Sequence, residues 1–354
     1  MRIGIPKESK VAEGRIALIP AACADLVRAG HQVVVQTQAG SLSGYSDEAY
    51  QAAGAEIAGS MRQLYAQTEL IVKVKEPVDE ELDLLEARHV LFSYLHLAAN
   101  RELAGRLAQI GLAAIAFETV EEHGSLPLLA PMSQIAGRVA AQIGTTLLYQ
   151  YQGGSGVLLG GVATSARGSV VVLGAGQAGT AAIQVAAGLG ANVTVFDKKW
   201  EKLEQIRNLG SNITTLYPYK DAVHESLAGA DLVIGAVLIP GSRAPVVVTE
   251  KMVADMPDGS VIVDISVDQG GCIATTRPTT YAQPTYKEFG VCHFAVTNIP
   301  GAVPRTASQA LSAVLLPYVQ LVAAGNWQSV ESLSKGLNVQ SGRVVHPVVR
   351  EALV

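Results

Sequence analysis

The stretch Val170-Val-Val-Leu-Gly174-Ala-Gly176-Gln-Ala-Gly179 constrains the fold more than any other part of the chain. A β-branched run leads into G-x-G-x-x-G and then into an alanine-rich segment. Val193-Thr-Val-Phe-Asp197 follows and ends in an acid 18 residues beyond Gly179. Gly174 permits a tight turn off the strand, Gly176 lets backbone approach a pyrophosphate, and Gly179 lets the helix pack closely on the sheet. The helix start offers free N–H groups and a positive dipole end to that anion. Glycine turns are common, so the motif alone says little. With a strand before it, a helix after it and an acid-tipped second strand, it has the context of a dinucleotide site. Asp197 is placed to accept hydrogen bonds from the adenosine ribose, and its charge opposes a 2′-phosphate. NAD is therefore expected over NADP, with the adjoining Lys198 and Lys199 softening the preference.

A chain of 354 residues is long enough for two domains. Strands are expected over residues 2–6, 31–36, 70–75, 90–95 and 112–117, alternating with helices over 20–30, 80–88 and 101–110. That alternation predicts a parallel sheet covered on both faces. Further strands are expected at 213–216, 231–237, 260–264 and 291–296, after the fingerprint. Long helices over 132–151 and 306–324, the second kinked at Pro317, flank this middle part, so the chain returns to its first domain. The expected fold is α/β: two doubly wound Rossmann-like domains, the nucleotide domain (131–306) inserted into a discontinuous substrate domain (1–130 plus 307–354).

Hydrophobic residues make up 49% of the chain and charged residues only 16%, which suits a compact fold with surface buried between subunits. A net charge of −5 argues against a nucleic-acid partner. No apolar run approaches the ~18 residues that span a bilayer. Three dispersed cysteines without Cys-x-x-Cys predict a reduced, cytoplasmic setting with neither disulfides nor zinc. No histidine pairs with Asp, Glu or Cys at metal-ligand spacing, so no metal is expected.

Candidate chemistry lies at the carboxyl ends of the expected strands, where such sheets bind ligands. Arg15, in the loop after the first strand, can grip a carboxylate by two parallel hydrogen bonds, although a solvated surface arginine is the commoner case. Lys73 and Lys75 share one side of their strand, and Lys75 reads equally as a substrate ligand or a snorkelling strand-end lysine. His96 directly follows Leu91-Phe-Ser-Tyr-Leu95 and suits proton transfer near neutral pH, with a structural histidine as the alternative. Asp268 lies just past a strand end and could orient water, ammonia or an amine. Asp264 reads as a structural strand end, and Cys272 lacks a cationic partner that would make it a thiolate.

These residues carry a resemblance that runs along nearly the whole chain. It rests on Gly4-Ile-Pro-Lys-Glu8 with Arg15, Val72-Lys-Val-Lys-Glu-Pro77, Tyr94-Leu-His-Leu-Ala98, Pro131-Met-Ser133 and Ala136-Gly-Arg138. It continues in Gly156-Val-Leu-Leu-Gly-Gly161, Gly235-Ala-Val-Leu238, the Val263–Cys272 segment and Asn298-Ile-Pro-Gly-Ala-Val-Pro304. The sequence resembles the alanine dehydrogenase family. The resemblance implies that Arg15 and Lys75 hold the carboxylate and oxo group of the substrate. It makes His96 the acid–base residue and gives Asp268 the positioning of water or ammonia. It puts Ser133 near the cofactor phosphates, Val237 and Leu238 against the cofactor through backbone, and Asn298 near the nicotinamide. Gln177 and Ala178 of the fingerprint, Ile265, Asp268 and Ile299 complete the expected contacts, with Lys202 near the adenosine. Two departures from the family pattern are Ile299, where methionine is expected, and Tyr217-Pro-Tyr219, where small polar residues are expected. The implied reaction converts L-alanine, NAD and water to pyruvate, ammonia and NADH, in a homohexamer. The rivals are the NAD-binding subunit of a transhydrogenase, argued against by Arg15, Lys75 and His96, a saccharopine-dehydrogenase-like enzyme, and a non-catalytic NAD-binding protein.

Overall fold

The computed structural model describes residues 1–238 and 244–353. They divide into two compact units, one made of Met1–Met132 with the chain from Gly301 onward, the other of Ser133–Pro300.

The first unit opens with β1 (Arg2–Ile5), β2 (Gln32–Gln36), β3 (Glu56–Ala58), β4 (Leu70–Val72), β5 (Val90–Ser93) and β6 (Ala113–Ala116). All six run parallel in the order β6-β5-β4-β1-β2-β3. Consecutive residues such as Leu70, Ile71 and Val72 are all buried, because helices cover both faces. The helix Arg101–Ile110 shows how local signals set its ends. Asn100 accepts the Leu103 N–H at 3.0 Å, and Gly111 closes the helix at φ 82°. Several elements are shorter than expected, and two show why. The strand read over 70–75 stops at Val72, because the Glu8 carboxylate takes the amides of Val74 and Lys75 at 2.5 and 3.2 Å. The helix read over 80–88 covers only Asp79–Leu82. The Glu86 amide turns to His89 Nδ1 at 2.8 Å instead of extending the helical ladder.

The second unit contains β7 (Ser169–Leu173), β8 (Asn192–Phe196), β9 (Ile213–Leu216), β10 (Leu232–Gly235), β11 (Val261–Asp264), β12 (Thr285–Glu288) and β13 (Val291–Phe294). They form one sheet in the order β12-β13-β11-β10-β7-β8-β9. Apart from β12 the strands are parallel and follow the dinucleotide-binding order, with the switch point between β7 and β10. The antiparallel edge strand β12 is absent from the sequence reading. The helix Ala130–Leu147, expected over 132–151, ends earlier. Its interior glycine has a packing reason: a Cβ at Gly137 would lie 1.9 Å from the Ala178 carbonyl oxygen.

The chain then returns to the first unit with β14 (Leu337–Gln340) and β15 (Arg343–Val344). They add antiparallel to β6, completing a sheet of eight strands, so this sheet is mixed rather than wholly parallel. Ser341 and Gly342, both at positive φ (48° and 80°), make the two-residue hairpin turn. The helix Pro304–Ala323 keeps Pro317 inside a continuous helical span and buries Ala307, Leu311, Leu315, Val319 and Val322. By length and composition this helix could cross a membrane, so the expectation that no apolar stretch approaches that length is corrected; half of it is buried in the protein. The 3.6-residue spacing of its buried side chains is that of a core helix.

Candidate active site

Arg15, Lys75 and His96 sit on the segments that follow β1, β4 and β5, three adjacent parallel strands of one sheet. The parallel arrangement delivers three residues, distant in sequence, to the same sheet edge. A glutamate anchors each of them.

Arg15 is 3% exposed, so the reading as a solvated surface arginine fails. Its guanidinium forks onto Glu13 at 2.5 and 2.7 Å, and Glu13 also accepts the Arg15 amide at 3.0 Å. The remaining arm of the fork approaches Met132 Sδ at 3.3 Å. The loop is held from the far end of the chain. Ser308 and Ser312, one turn apart on the helix Pro304–Ala323, accept the amides of Ile16 and Ile19 at 2.9 and 3.0 Å. A cavity of about 150 Å³ opens beside Arg15, lined among others by Lys7, Glu8, Glu13 and Gln38.

Lys73 and Lys75 separate in role. Lys73 is buried and bonds Glu81 at 2.9 Å, with Glu8 at 3.5 Å and the Tyr65 hydroxyl on the other Glu81 oxygen. Burial pulls the Lys73 ammonium down, but the carboxylates of Glu8 and Glu81 outweigh it and hold it above its ordinary value. Lys75 is half-buried, and its ammonium makes no hydrogen bond or ion pair among the described residues. Glu8 thus neutralises Lys73 and fixes the backbone that carries Lys75.

His96 is exposed and adopts left-handed backbone, φ 49° and ψ 37°. That conformation is uncommon for a non-glycine residue. Glu118 stabilises it by accepting the His96 amide at 2.6 Å and the Leu95 amide at 3.2 Å. The imidazole lies parallel to the Tyr94 ring, centroids 6.1 Å apart. Tyr94 is itself fixed by its hydrogen bond to the Leu128 carbonyl at 2.6 Å, and burial raises its phenol.

In the second unit the three fingerprint glycines answer different constraints. Gly174 is at φ 102°, and a Cβ there would lie 2.6 Å from the Ala236 carbonyl. At Gly179 a Cβ would lie 1.8 Å from the Gly174 carbonyl oxygen. At Gly176 a Cβ would meet nothing within 4 Å. The middle glycine therefore faces open space at the N-terminus of the helix Gln177–Gly188, the cradle a pyrophosphate needs. Gln177 is exposed, Ala178 half-buried, and Gln134 donates to Gln177 at 2.9 Å. Asp197 is clamped by the amides of Ala175 and Lys199, both at 2.8 Å, which leaves further lone pairs on each oxygen. These residues fit a dinucleotide.

The other expected cofactor contacts also follow carboxyl ends of this sheet. Val237 and Leu238 come after β10, Ile265 and Asp268 after β11, and Asn298, at φ 64°, with buried Ile299 after β13. Ser133 is half-buried on the helix Ala130–Leu147, and Lys202 on the helix Trp200–Arg207. Asp268 is exposed, while Asp264 is fully buried and accepts from Ser266, Cys272 and Thr276 at 2.7–3.0 Å. Burial raises both the Asp264 carboxyl and the Cys272 thiol, so Asp264 is a structural hub and Cys272 stays a thiol.

Glu8, Glu13, Glu118, Ser308 and Ser312 are absent from the sequence reading. Glu8 ends the Gly4-Ile-Pro-Lys-Glu8 motif and Glu13 lies two residues before Arg15, but nothing in the sequence links Glu118 or the two serines to residues 22 to 293 positions away.

Residues 4–136 match the family described as "Alanine dehydrogenase/PNT, N-terminal domain", and residues 140–347 its C-terminal domain. The chain is 47% identical to the alanine dehydrogenase of Bacillus subtilis, over 100% of this chain and 95% of that one. A solved L-alanine dehydrogenase superposes with TM-score 0.95 at 50% identity, covering 99% of both chains. A transhydrogenase from Sinorhizobium meliloti gives TM-score 0.85 at 28% identity, over 98% of this chain and 99% of that one.

Proposed function

The chain belongs to the alanine dehydrogenase/PNT family, and from that premise we propose how its residues carry out the reversible oxidative deamination of L-alanine to pyruvate and ammonia. The observation that carries this reading is the common origin of Arg15, Lys75 and His96 on three adjacent strand ends, each braced by a carboxylate. Arg15, immobilised by Glu13, binds the substrate carboxylate. Lys75 faces the oxo group of pyruvate or its imine precursor, where an ammonium stabilises developing negative charge. His96 takes the proton from the water that adds to the imine carbon and returns a proton to the departing nitrogen. Asp268 orients water or ammonia. A bound nicotinamide supplies the hydride acceptor for the substrate Cα, and the protein supplies position and charge.

NAD is the proposed form of that cofactor. The two backbone amides on Asp197 hold its carboxylate still, so it cannot swing aside for a 2′-phosphate. A homohexamer in the cytoplasm completes the proposal, resting on the family resemblance, on three free cysteines and on the low charge content.

Purified protein tested for NADH formation from L-alanine, beside glycine, L-serine and L-lysine, examines the reading directly. Turnover with alanine supports it. NADH binding without turnover of alanine leaves a binding protein in its place. His96→Ala is expected to retain NADH binding and lose turnover, and unchanged turnover removes His96 from the mechanism.

A further inference from the structure

Two large aromatic side chains stand partly in solvent just past the end of β9. Tyr217 and Tyr219 are 48% and 68% exposed. Neither phenol makes a hydrogen bond among the described residues, and the rings contact each other, centroids 4.8 Å apart and tilted by 52°. The backbone beneath them is a hydrogen-bonded turn. The Tyr219 amide bonds the Tyr217 carbonyl at 2.8 Å across Pro218, a three-residue turn whose centre proline restricts. The turn then starts the helix Lys220–Leu227, so both rings are presented by fixed elements.

Their address is specific. β8 and β9 are parallel neighbours, and Phe196 is the register partner of Leu216. Asp197 and Tyr217 are the residues that directly follow the two strands, so their backbones leave the sheet about one strand spacing, roughly 5 Å, apart. Asp197 is the residue proposed to hold the adenosine ribose, in continuity with the open Gly176 cradle. The moiety attached to that ribose is a flat heteroaromatic base, which aromatic side chains bind by stacking.

We infer that Tyr217 and Tyr219 form a preorganised stacking surface for the adenine ring of the dinucleotide. The inference rests on the dinucleotide reading and deepens it: the adenine end is gripped by apolar ring contact rather than by hydrogen bonds to small polar side chains. The hydrogen-bonded Pro218 turn lowers the ordering cost of that contact. A stacking surface of this kind accepts the base without reading its amino group. It therefore tolerates a hypoxanthine ring in place of adenine.

The test measures binding to the intact protein by calorimetry, with AMP, nicotinamide mononucleotide and NADH as separate ligands. Tyr217→Ser and Tyr219→Ser are expected to weaken AMP and NADH by roughly tenfold or more, and to leave nicotinamide mononucleotide unchanged. Tyr219→Phe keeps the ring and restores AMP affinity. Wild-type protein is expected to bind IMP within about threefold of AMP. Unchanged AMP affinity in both serine variants, while NADH still binds, overturns the stacking surface alone. Wild-type protein that binds neither AMP nor NADH overturns the dinucleotide reading beneath it. Serine variants that shift the oligomeric state by light scattering with AMP affinity intact assign the rings to a contact between copies and overturn the inference.

Discussion

Glu118 accepts the backbone amide of His96 at 2.6 Å, across 22 residues of sequence, and His96 there holds a left-handed conformation. The carboxylate offsets the strain of that backbone, on the order of 1 kcal/mol or more. It thereby decides where the imidazole stands. Glu118→Ala is expected to lower kcat by roughly ten- to a hundredfold while leaving NADH affinity unchanged, because small misplacements of a catalytic group are costly. Glu118→Gln retains an acceptor oxygen and recovers much of the loss. Steady-state kinetics beside NADH titration decide it, and an unaltered kcat in Glu118→Ala contradicts the role.

Glu13 and Arg15 form a buried two-pronged ion pair, with side chains 1% and 2% exposed. Removing one partner of such a pair costs about 3–5 kcal/mol, because the other charge stays buried. Glu13→Ala should therefore lower the urea midpoint sharply. Arg15→Lys should raise KM for alanine more than it lowers kcat, since an ammonium cannot reproduce the fork. Equal stability of Glu13→Ala and the parent chain, read by urea unfolding, argues against this account.

Gly176 and Gly179 make a discriminating pair. Gly176 has φ −79° and open space where a Cβ would stand, so Gly176→Ala should fold with stability unchanged or slightly raised. Its NADH affinity should nevertheless fall on the order of tenfold, since backbone approach to the pyrophosphate is blocked. Gly179→Ala drives a methyl group into the Gly174 carbonyl and should cost about 3 kcal/mol or more. Thermal unfolding with and without NADH separates the two effects. A Gly176→Ala protein that binds NADH normally removes that glycine from the site.

His89 and His293 are buried and, chiefly through burial, protonate less readily than a free imidazole, whose ordinary value is 6.5. His89 Nδ1 accepts the Glu86 amide, so a proton there abolishes a hydrogen bond. The folded state thus binds fewer protons than the unfolded one. The stability linked to these groups is present above about pH 6.5 and is lost as pH falls through the depressed folded values. The slope is at most about 1.4 kcal/mol per pH unit for each imidazole. Glu8 and Asp264, raised by burial, act in the opposite sense, so the difference between variants isolates the histidines. The thermal midpoint should fall between pH 7 and 5, with a shallower fall in His89→Gln/His293→Gln. Parallel curves for the two proteins exclude this cause.

Much of the fold was legible in the chain because it is written locally. The residues 170–197 carry strand, turn, helix and acid in one continuous run, and most of the buried parallel strands announce themselves as apolar segments. The edge strands β3, β12, β14 and β15 were not, since short edge strands carry little apolar sequence of their own and depend on the partner strand they find. The site divided in the same way. Arg15, Lys75 and His96 were legible as strand-end residues and through motif resemblance. What holds them was not, because Glu118 and Ser308 act only when folding brings distant segments within hydrogen-bond range. The sequence by itself determined the residue types, their order along the strands and the glycines that backbone geometry demands. Tertiary structure alone decided that β1, β4 and β5 would be neighbours, that Arg15 would be buried against Glu13, and that the strands leading to Asp197 and Tyr217 would pair in register. Strand order and side-chain burial are properties of the packed sheet, and no local run of residues encodes them.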